Sequence, residues 1–414
     1  MHDATIPQLP AFPAGYTLSP EFRLAVACSW IAPEPLRKLQ DEKVASHVGK
    51  GIDWAAFLDL VDRHGIPVQA LTVLRRCLGE GVPDWLCREL KVSGRRVAAR
   101  SVKQMAELGH ITRLLRGHGI DIILLKGVCL SQRLYGNPGV RSSGDLDVLV
   151  RPEQLADADR LLNASGYRNI YNLTECQMAA LLAHSHHVSY CREESGRHLE
   201  LHWRSHFWTC EEMEEFWRGR ETVVIAGEPF ASLDDSILFL FLCDHGSRHV
   251  WCCMKWLSDI AMMIADDSID DWAALLAQAE RLGLCRVVAQ TALLVHWLYG
   301  LPLPSRVSEL VAGERMASPL AEKAVAALLA GMDLQRSGGR RMAGLRNTVY
   351  FKRIRPSLPF ALLLKESLMC PVDYHAFPLP DRLFWMYVPL RPFFWFWRHY
   401  GANLFIRLRS ICKA

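Results

Sequence analysis

Residues 120–150 constrain the fold more than any other part of the chain, which is 414 residues long. Residues 120–125 are a short apolar run that stops at Lys126 and Gly127, and this pattern predicts a buried strand that ends in a tight turn. Apolar residues at helical spacing follow in 128–135, and four turn-forming residues at 136–139 end that helix. Residues 145–150 predict the next strand.

The second predicted strand carries two carboxylates with one residue between them. Side chains alternate along a strand, so Asp145 and Asp147 share a face and lie about 7 Å apart. Carboxylates at this spacing repel each other unless a cation lies between them, and hard oxygen ligands suit Mg²⁺. An isolated pair of this kind is more often a solvated edge strand. The loop before the pair supplies Arg141, Ser142 and Ser143, and this context favours a ligand site.

A third carboxylate is predicted on a later strand. Residues 198–204 alternate strictly, with Leu199, Leu201 and Trp203 expected to point inward and the polar residues, Glu200 and His202 among them, on the opposite face. Residues 186–191 precede this run across the short connection 194–196, which is typical of a hairpin. Glu200 is therefore the candidate third ligand, although a charged residue on the solvated face of a sheet explains the same pattern.

These motifs resemble a known family. LLKG, LYGNPGVR and DLDVLV, in that order, are similar to the bacterial group described as an uncharacterised nucleotidyltransferase family, within the DNA polymerase β-like nucleotidyltransferase superfamily. Members of the superfamily usually carry Gly-Ser where this chain has Lys126-Gly127, a form that the smaller group shares. The run ELHW matches the third motif of the family, with Glu200 in place of the more usual aspartate.

The resemblance implies an α+β fold in which a small mixed sheet is flanked by helical N-terminal and C-terminal regions. It also implies that Asp145, Asp147 and Glu200 hold two Mg²⁺ or Mn²⁺ ions. The residues expected to contact the nucleotide are Lys126, Gly127, Arg141 and Ser143, with Arg133 as a further candidate.

The implied reaction transfers a nucleoside monophosphate from a nucleoside triphosphate, ATP by default, to a hydroxyl of an unknown acceptor and releases pyrophosphate. Two alternatives also fit the sequence. One is a catalytically inactive module on the same fold that binds a nucleotide or a partner, and the other is a peripheral membrane or RNA-binding protein that uses its basic C-terminal segment.

The pattern of elements divides the chain into four parts. Residues 1–117 are predicted to be helical, with Ser19 and Asp53 as helix caps and an interruption near Ser93 and Gly94 in the last helix. Residues 118–232 form the predicted catalytic α/β unit, 233–335 a second helical region and 336–414 a basic aromatic segment.

Charge is distributed unevenly between these parts. From Arg336 onward there are 14 Lys and Arg against three acidic residues, whereas the whole chain carries a net charge of +4. The basic segment is expected to pack on the acidic body, with contact to an anionic membrane surface or to single-stranded RNA as the alternatives. The thirteen cysteines are scattered and form no C-x-x-C motif, and the chain begins with polar residues. It contains no apolar run of ~18 residues. These features predict a cytoplasmic protein without a membrane span.

The second helical region contains residues of metal-binding type. His245 and His249, with Cys252 or Cys253, lie within two helical turns, but their spacing matches no standard closed zinc site. Histidines on such a helix are more often satisfied core or surface groups. The same segment resembles the helical partner of the catalytic sheet, so His249 or Lys255 could contact the nucleotide. Lys255 and Asp259 are most simply a helical ion pair.

Overall fold

The structure is a computed structural model, and it describes residues 7–49, 51–171, 173–192, 197–205, 208, 210–331, 349–359 and 371–398. The predicted α+β architecture is confirmed: a mixed sheet of seven strands is preceded and followed along the chain by helices. No helix within these described ranges combines the length and the apolar character needed to cross a membrane.

Five helices precede the sheet: α1 (Pro20–Cys28), α2 (Glu34–Val48), α3 (Trp54–His64), α4 (Pro67–Leu78) and α5 (Asp84–Arg116). Both predicted caps are confirmed. The Ser19 hydroxyl accepts a hydrogen bond from the Phe22 amide at 3.1 Å, and the Asp53 carboxylate caps α3. The predicted interruption near Gly94 was wrong, because α5 is continuous over 33 residues. Gly94 faces Val68 of α4, and the packing of these two helices offsets its low helical propensity.

The central region alternates helices and strands. Its elements are β1 (Ile123–Leu124), α6 (Val128–Tyr135), β2 (Leu146–Leu149), α7 (Leu155–Ala164), β3 (Tyr167–Asn169), α8 (Glu175–His184), β4 (His187–Arg192), β5 (Arg197–His202), α9 (Cys210–Arg218), β6 (Arg220–Ile225) and β7 (Glu228–Leu233). The strand order in the sheet is β3-β4-β5-β2-β1-β7-β6. The predicted hairpin of β4 and β5 is confirmed, whereas the hairpin of β6 and β7 was not predicted.

Two pairings of β2 decide the position of the site. β2 runs antiparallel to β1, with Leu124 opposite Val148, and parallel to β5, with Asp147 opposite Glu200. The apolar side chains of β2 and β5, such as Leu199 and Leu201, enter the hydrophobic core under helices α5 and α7. The alternating polar residues of both strands therefore meet on the opposite face of the sheet.

In the described range 234–331, six helices follow the sheet: α10 (Asp235–Arg248), α11 (Met254–Ala265), α12 (Trp272–Arg281), α13 (Cys285–Tyr299), α14 (Ser305–Gly313) and α15 (Ala317–Ala330). Two further helices, Pro371–Ala376 and Tyr387–Phe396, lie in the described part of the basic segment. The buried side chains of α10 to α15 join those of α1 to α4 in one hydrophobic cluster, which also includes Ile123 and Leu149 of the sheet. The two helical regions thus share a core that supports one face of the sheet.

Much of the basic segment, namely 336–348, 360–370 and 399–414, lies outside the described residues. In the described part, Tyr374, Tyr387 and Phe394 form a small cluster against Leu173. The buried carboxylate of Asp373 pairs with two arginines of this segment, Arg391 and Arg398. The exposed aromatic side chains here are Trp385, Phe393, Phe396 and Trp397.

Gly246, near the end of α10, is a position at which a larger side chain should destabilise the fold. A Cβ atom on Gly246 would lie 2.3 Å from the indole of Trp251, a ring that is fully buried. We expect Gly246→Ala to lower the free energy of unfolding by about 1–3 kcal/mol, because the buried ring must move. Urea denaturation measures this loss. Gly313→Ala is the matched control, since a Cβ there meets nothing within 4 Å; equal unfolding midpoints for the two variants would contradict the prediction.

Candidate active site

Three carboxylates lie in or next to strands β2 and β5. Asp147 lies in β2 and faces Glu200 directly across the parallel pair with β5. Asp145 immediately precedes β2, and burial together with the charges of Asp147 and Glu200 raises its pKa. Among the described residues, the ligand atoms within 4.8 Å of one another belong to Asp147, Glu200 and His202, and Asp145 is not in that group.

The turn after β1 brings a cation to these carboxylates. The Lys126 ammonium lies 3.0 Å from Asp147 Oδ1, and both side chains are largely buried. Gly127 follows with φ 69°, a backbone conformation that favours glycine, and α6 begins directly after it. The Ser143 hydroxyl donates to the Asp145 carbonyl at 3.0 Å and so fixes the loop that carries the aspartates.

A histidine lies between two of the carboxylates. His202 Nε2 is 3.2 Å from Asp147 Oδ1 and 3.4 Å from Glu200 Oε2. The β4–β5 register places His187 directly opposite His202, and the two rings stack with centroids 5.1 Å apart. His186 lies beside them, where its Nε2 accepts a hydrogen bond from Arg248 at 2.7 Å.

Sequence reasoning placed His202 on the face of Glu200 but gave it no role, and it missed His186 and His187. A signal was present, because the histidine pair 186–187 begins one strand of a predicted hairpin and His202 lies near the end of the other. Strands of a hairpin run in opposite directions, so the start of the first meets the end of the second.

Burial and the neighbouring charges decide the protonation of the site. Burial alone would raise the pKa of the Asp147 carboxyl, but Lys126 and His202 together outweigh it and hold that pKa well below its usual range. Asp145 has the opposite balance, since burial and the charge of Asp147 raise its pKa. Burial lowers the pKa of His187 to about 4, so this imidazole is neutral at pH 7.

The donor set fits a divalent cation. Asp147 Oδ2 is buried and has no hydrogen-bond partner among the described residues, although its carboxylate is ionised at neutral pH. Asp147, Glu200 and His202 each offer a ligand atom, and these atoms lie within 4.8 Å of one another. Burial would lower the pKa of His202, but its contacts with Asp147 and Glu200 outweigh burial and raise that pKa. The three carboxylates outnumber the two basic groups that face them, Lys126 and His202, and a divalent ion would balance the remaining negative charge.

Arg141 and Lys255 have other partners. Arg141 is buried and its Nε contacts both oxygens of the buried Asp259, at 2.8 and 2.9 Å. The Lys255 ammonium donates to the Ser142 carbonyl at 3.2 Å, so the predicted helical ion pair with Asp259 was wrong. Asp259 pairs with Arg141 instead. Through these contacts, the side chains of Arg141 and Lys255 both hold the loop that precedes Asp145 in place.

Of the remaining candidates, His245 lines a narrow cleft, whereas His249 and Arg133 do not. Lys126, His202, His245 and Arg248 are among its lining residues. The His245 and His249 rings pack against Trp256, and in the described ranges the metal-competent clusters include neither of them. Arg133 is bound elsewhere, since its guanidinium donates to Glu221 at 2.8 Å and to the Leu233 carbonyl.

The lysine-bearing glycine turn beside carboxylates on neighbouring strands is the arrangement that the sequence predicted, and comparison with known proteins identifies the family of the chain. The family model described as uncharacterised nucleotidyltransferase matches residues 50–300, more than half of the chain, and the chain therefore belongs to this family. Neither the curated proteins nor the solved structures include a significant match. Family membership supports nucleotidyl transfer in general, with a nucleotide as substrate.

Proposed function

We propose that this protein is a divalent-metal-dependent nucleotidyltransferase that moves a nucleoside monophosphate, AMP by default, from the triphosphate to a hydroxyl of an acceptor. One observation carries the proposal: Asp147 and Glu200 are direct partners on parallel strands, with the Lys126 ammonium 3.0 Å from Asp147. Family membership makes the nucleotide the expected substrate.

Asp145, Asp147 and Glu200 are the residues proposed to hold the divalent ions, Mg²⁺ or Mn²⁺. When bound, such ions neutralise phosphate charge and lower the pKa of an attacking hydroxyl. In the reaction, the acceptor oxygen forms a bond to the α-phosphorus while the bond from that phosphorus to the bridging oxygen breaks. Pyrophosphate leaves and the hydroxyl proton passes to solvent.

Lys126 is proposed to contact the triphosphate. Its ammonium is a compact charge at the start of the Gly127 turn, and it already lies beside the carboxylates. Gly127 and Ser143 are proposed to shape the nucleotide side of the site through the positive φ of the glycine and the hydrogen bond to the Asp145 carbonyl. Arg141 is left out of this set because it is buried against Asp259.

Lys126→Met is expected to lower kcat/KM for the triphosphate by roughly tenfold to a hundredfold, because a charge-assisted hydrogen bond to phosphate contributes about 1.5–3 kcal/mol. Steady-state kinetics of pyrophosphate release measure this effect. Lys103→Met removes an exposed lysine from α5 and is the matched control. Unchanged kinetics in the Lys126 variant would remove this residue from the proposed site.

The function itself is tested by incubating the purified protein with each nucleoside triphosphate, Mg²⁺ or Mn²⁺, and pools of hydroxylated acceptors. The expected result is pyrophosphate release together with an acceptor whose mass rises by one nucleotide. Calorimetric binding of ATP without either product would favour the inactive nucleotide-binding module, which is the alternative in another functional class.

A further inference from the structure

We propose that an imidazole belongs to the metal site: His202, together with Asp147 and Glu200, binds a first-row transition ion of the Mn²⁺ to Zn²⁺ class in preference to Mg²⁺. This inference rests on the proposed function in that it concerns the same site. It goes further by naming a nitrogen ligand and the class of ion that this ligand selects.

His202 contacts both carboxylates at distances that hydrogen bonds and ligands of one metal ion share. His202 Nε2 lies 3.2 Å from Asp147 Oδ1 and 3.4 Å from Glu200 Oε2. With metal–ligand bonds of about 2.1 Å, neighbouring ligand atoms of an octahedral or tetrahedral ion are roughly 3.0–3.4 Å apart. The ligand atoms of all three side chains lie within 4.8 Å of one another. One cation that displaces the proton on His202 Nε2 can therefore contact all three after small side-chain movements.

Burial supplies a second, independent reason for a cation. The side chain of Asp147 is 1% exposed, and its Oδ2 has no hydrogen-bond partner among the described residues. A buried ionised oxygen without a partner is costly, and an ion in contact with it would remove that cost. His202 is also buried, so water cannot freely replace its contacts.

The nitrogen ligand decides the class of ion. Mg²⁺ prefers oxygen ligands and retains several waters, whereas imidazole suits the first-row transition ions. His187 supports this role as a positioning residue, because its ring stacks on His202 from the neighbouring strand. His186 is excluded as the ligand through Nε2, since that nitrogen accepts the hydrogen bond from Arg248.

Electron spin-echo spectroscopy of the full-length, tag-free protein loaded with Mn²⁺ tests the proposal, because it detects nitrogen bound directly to the ion. The wild-type protein should show nitrogen coupling and bind Mn²⁺ at least about tenfold more tightly than Mg²⁺. His202→Gln should abolish the coupling and weaken Mn²⁺ binding at least about tenfold. Calorimetry supplies both affinities.

Three further variants keep the result interpretable. Glu200→Gln should weaken Mn²⁺ binding yet keep the nitrogen coupling, because the imidazole is unchanged. His187 also lies within ligand distance of His202, so His187→Gln should keep the coupling, and its loss there would assign the nitrogen to His187 even if His202→Gln does not fold. His198→Gln, an exposed residue on the same strand, should change neither property. Mn²⁺ bound without nitrogen coupling in the wild-type protein, or equal affinity for Mg²⁺, overturns the proposal.

The two proposals fail in different ways. Nitrogen-coordinated Mn²⁺ in a protein that transfers no nucleotide supports the imidazole ligand and contradicts the proposed function. Nucleotide transfer with Mg²⁺, in a protein whose bound Mn²⁺ shows no nitrogen coupling, supports the function and contradicts the imidazole ligand.

Discussion

Asp147→Asn is expected to reduce nucleotidyl transfer by at least about a thousandfold, which corresponds to about 4 kcal/mol of transition-state stabilisation. Asparagine keeps the size of the side chain and an oxygen that can accept from Lys126. It removes the negative charge that the proposed ions require. The residue lies at the centre of the site, opposite Glu200 and in contact with both Lys126 and His202.

The fold of this variant should be retained. Asp145 and Glu200 remain, and the repulsion that Asp147 exerts on them disappears, which offsets part of the lost pairing with Lys126. The measurement is initial-rate pyrophosphate release, with urea denaturation as the check on folding. Asp157→Asn, an exposed carboxylate on α7 that pairs with Arg160, is the matched control. A folded Asp147 variant as active as its parent would show that the carboxylate assignment is wrong.

The largest expected loss of stability follows from breaking the Arg141–Asp259 pair. Both side chains are at most 3% exposed. Asp259→Leu leaves a buried guanidinium that stays charged at all accessible pH values. We expect the free energy of unfolding to fall by about 3–5 kcal/mol. The loop before Asp145 should lose its anchor as well, so activity should fall with stability.

A double-mutant cycle by urea denaturation separates the charge effect from packing. Arg141→Met with Asp259→Leu removes both charges and should recover most of the lost stability, because no uncompensated ion remains. Glu228→Gln is the control: it breaks the exposed pair with Arg113, which should cost less than about 1 kcal/mol. If Asp259→Leu costs no more than this control, Arg141 is not held by a buried ion pair.

Local sequence signals predicted several of the helices and strands. Ser19 and Asp53 correctly predicted the starts of α1 and α3, because a capping side chain bonds to backbone amides in the first turn of its own helix. The strict alternation of apolar and polar residues predicted β5, and it correctly predicted that Leu199 and Leu201 are buried in the core. The family could also be inferred from the sequence, because its motifs are contiguous runs of residues. The continuity of α5 through Gly94 could not be predicted from the sequence, because it depends on packing against α4.

The pairing of strands and of buried charges was decided only by the tertiary structure. Asp147 and His202 are 55 residues apart in the chain, and the parallel register of β2 with β5 brings them together. Arg141 and Asp259 are 118 residues apart, so the sequence around Arg141 could not predict that this arginine is buried in an ion pair. Alternation and capping act within a few residues, whereas the partner of a buried ligand or ion depends on which distant segment shares its core.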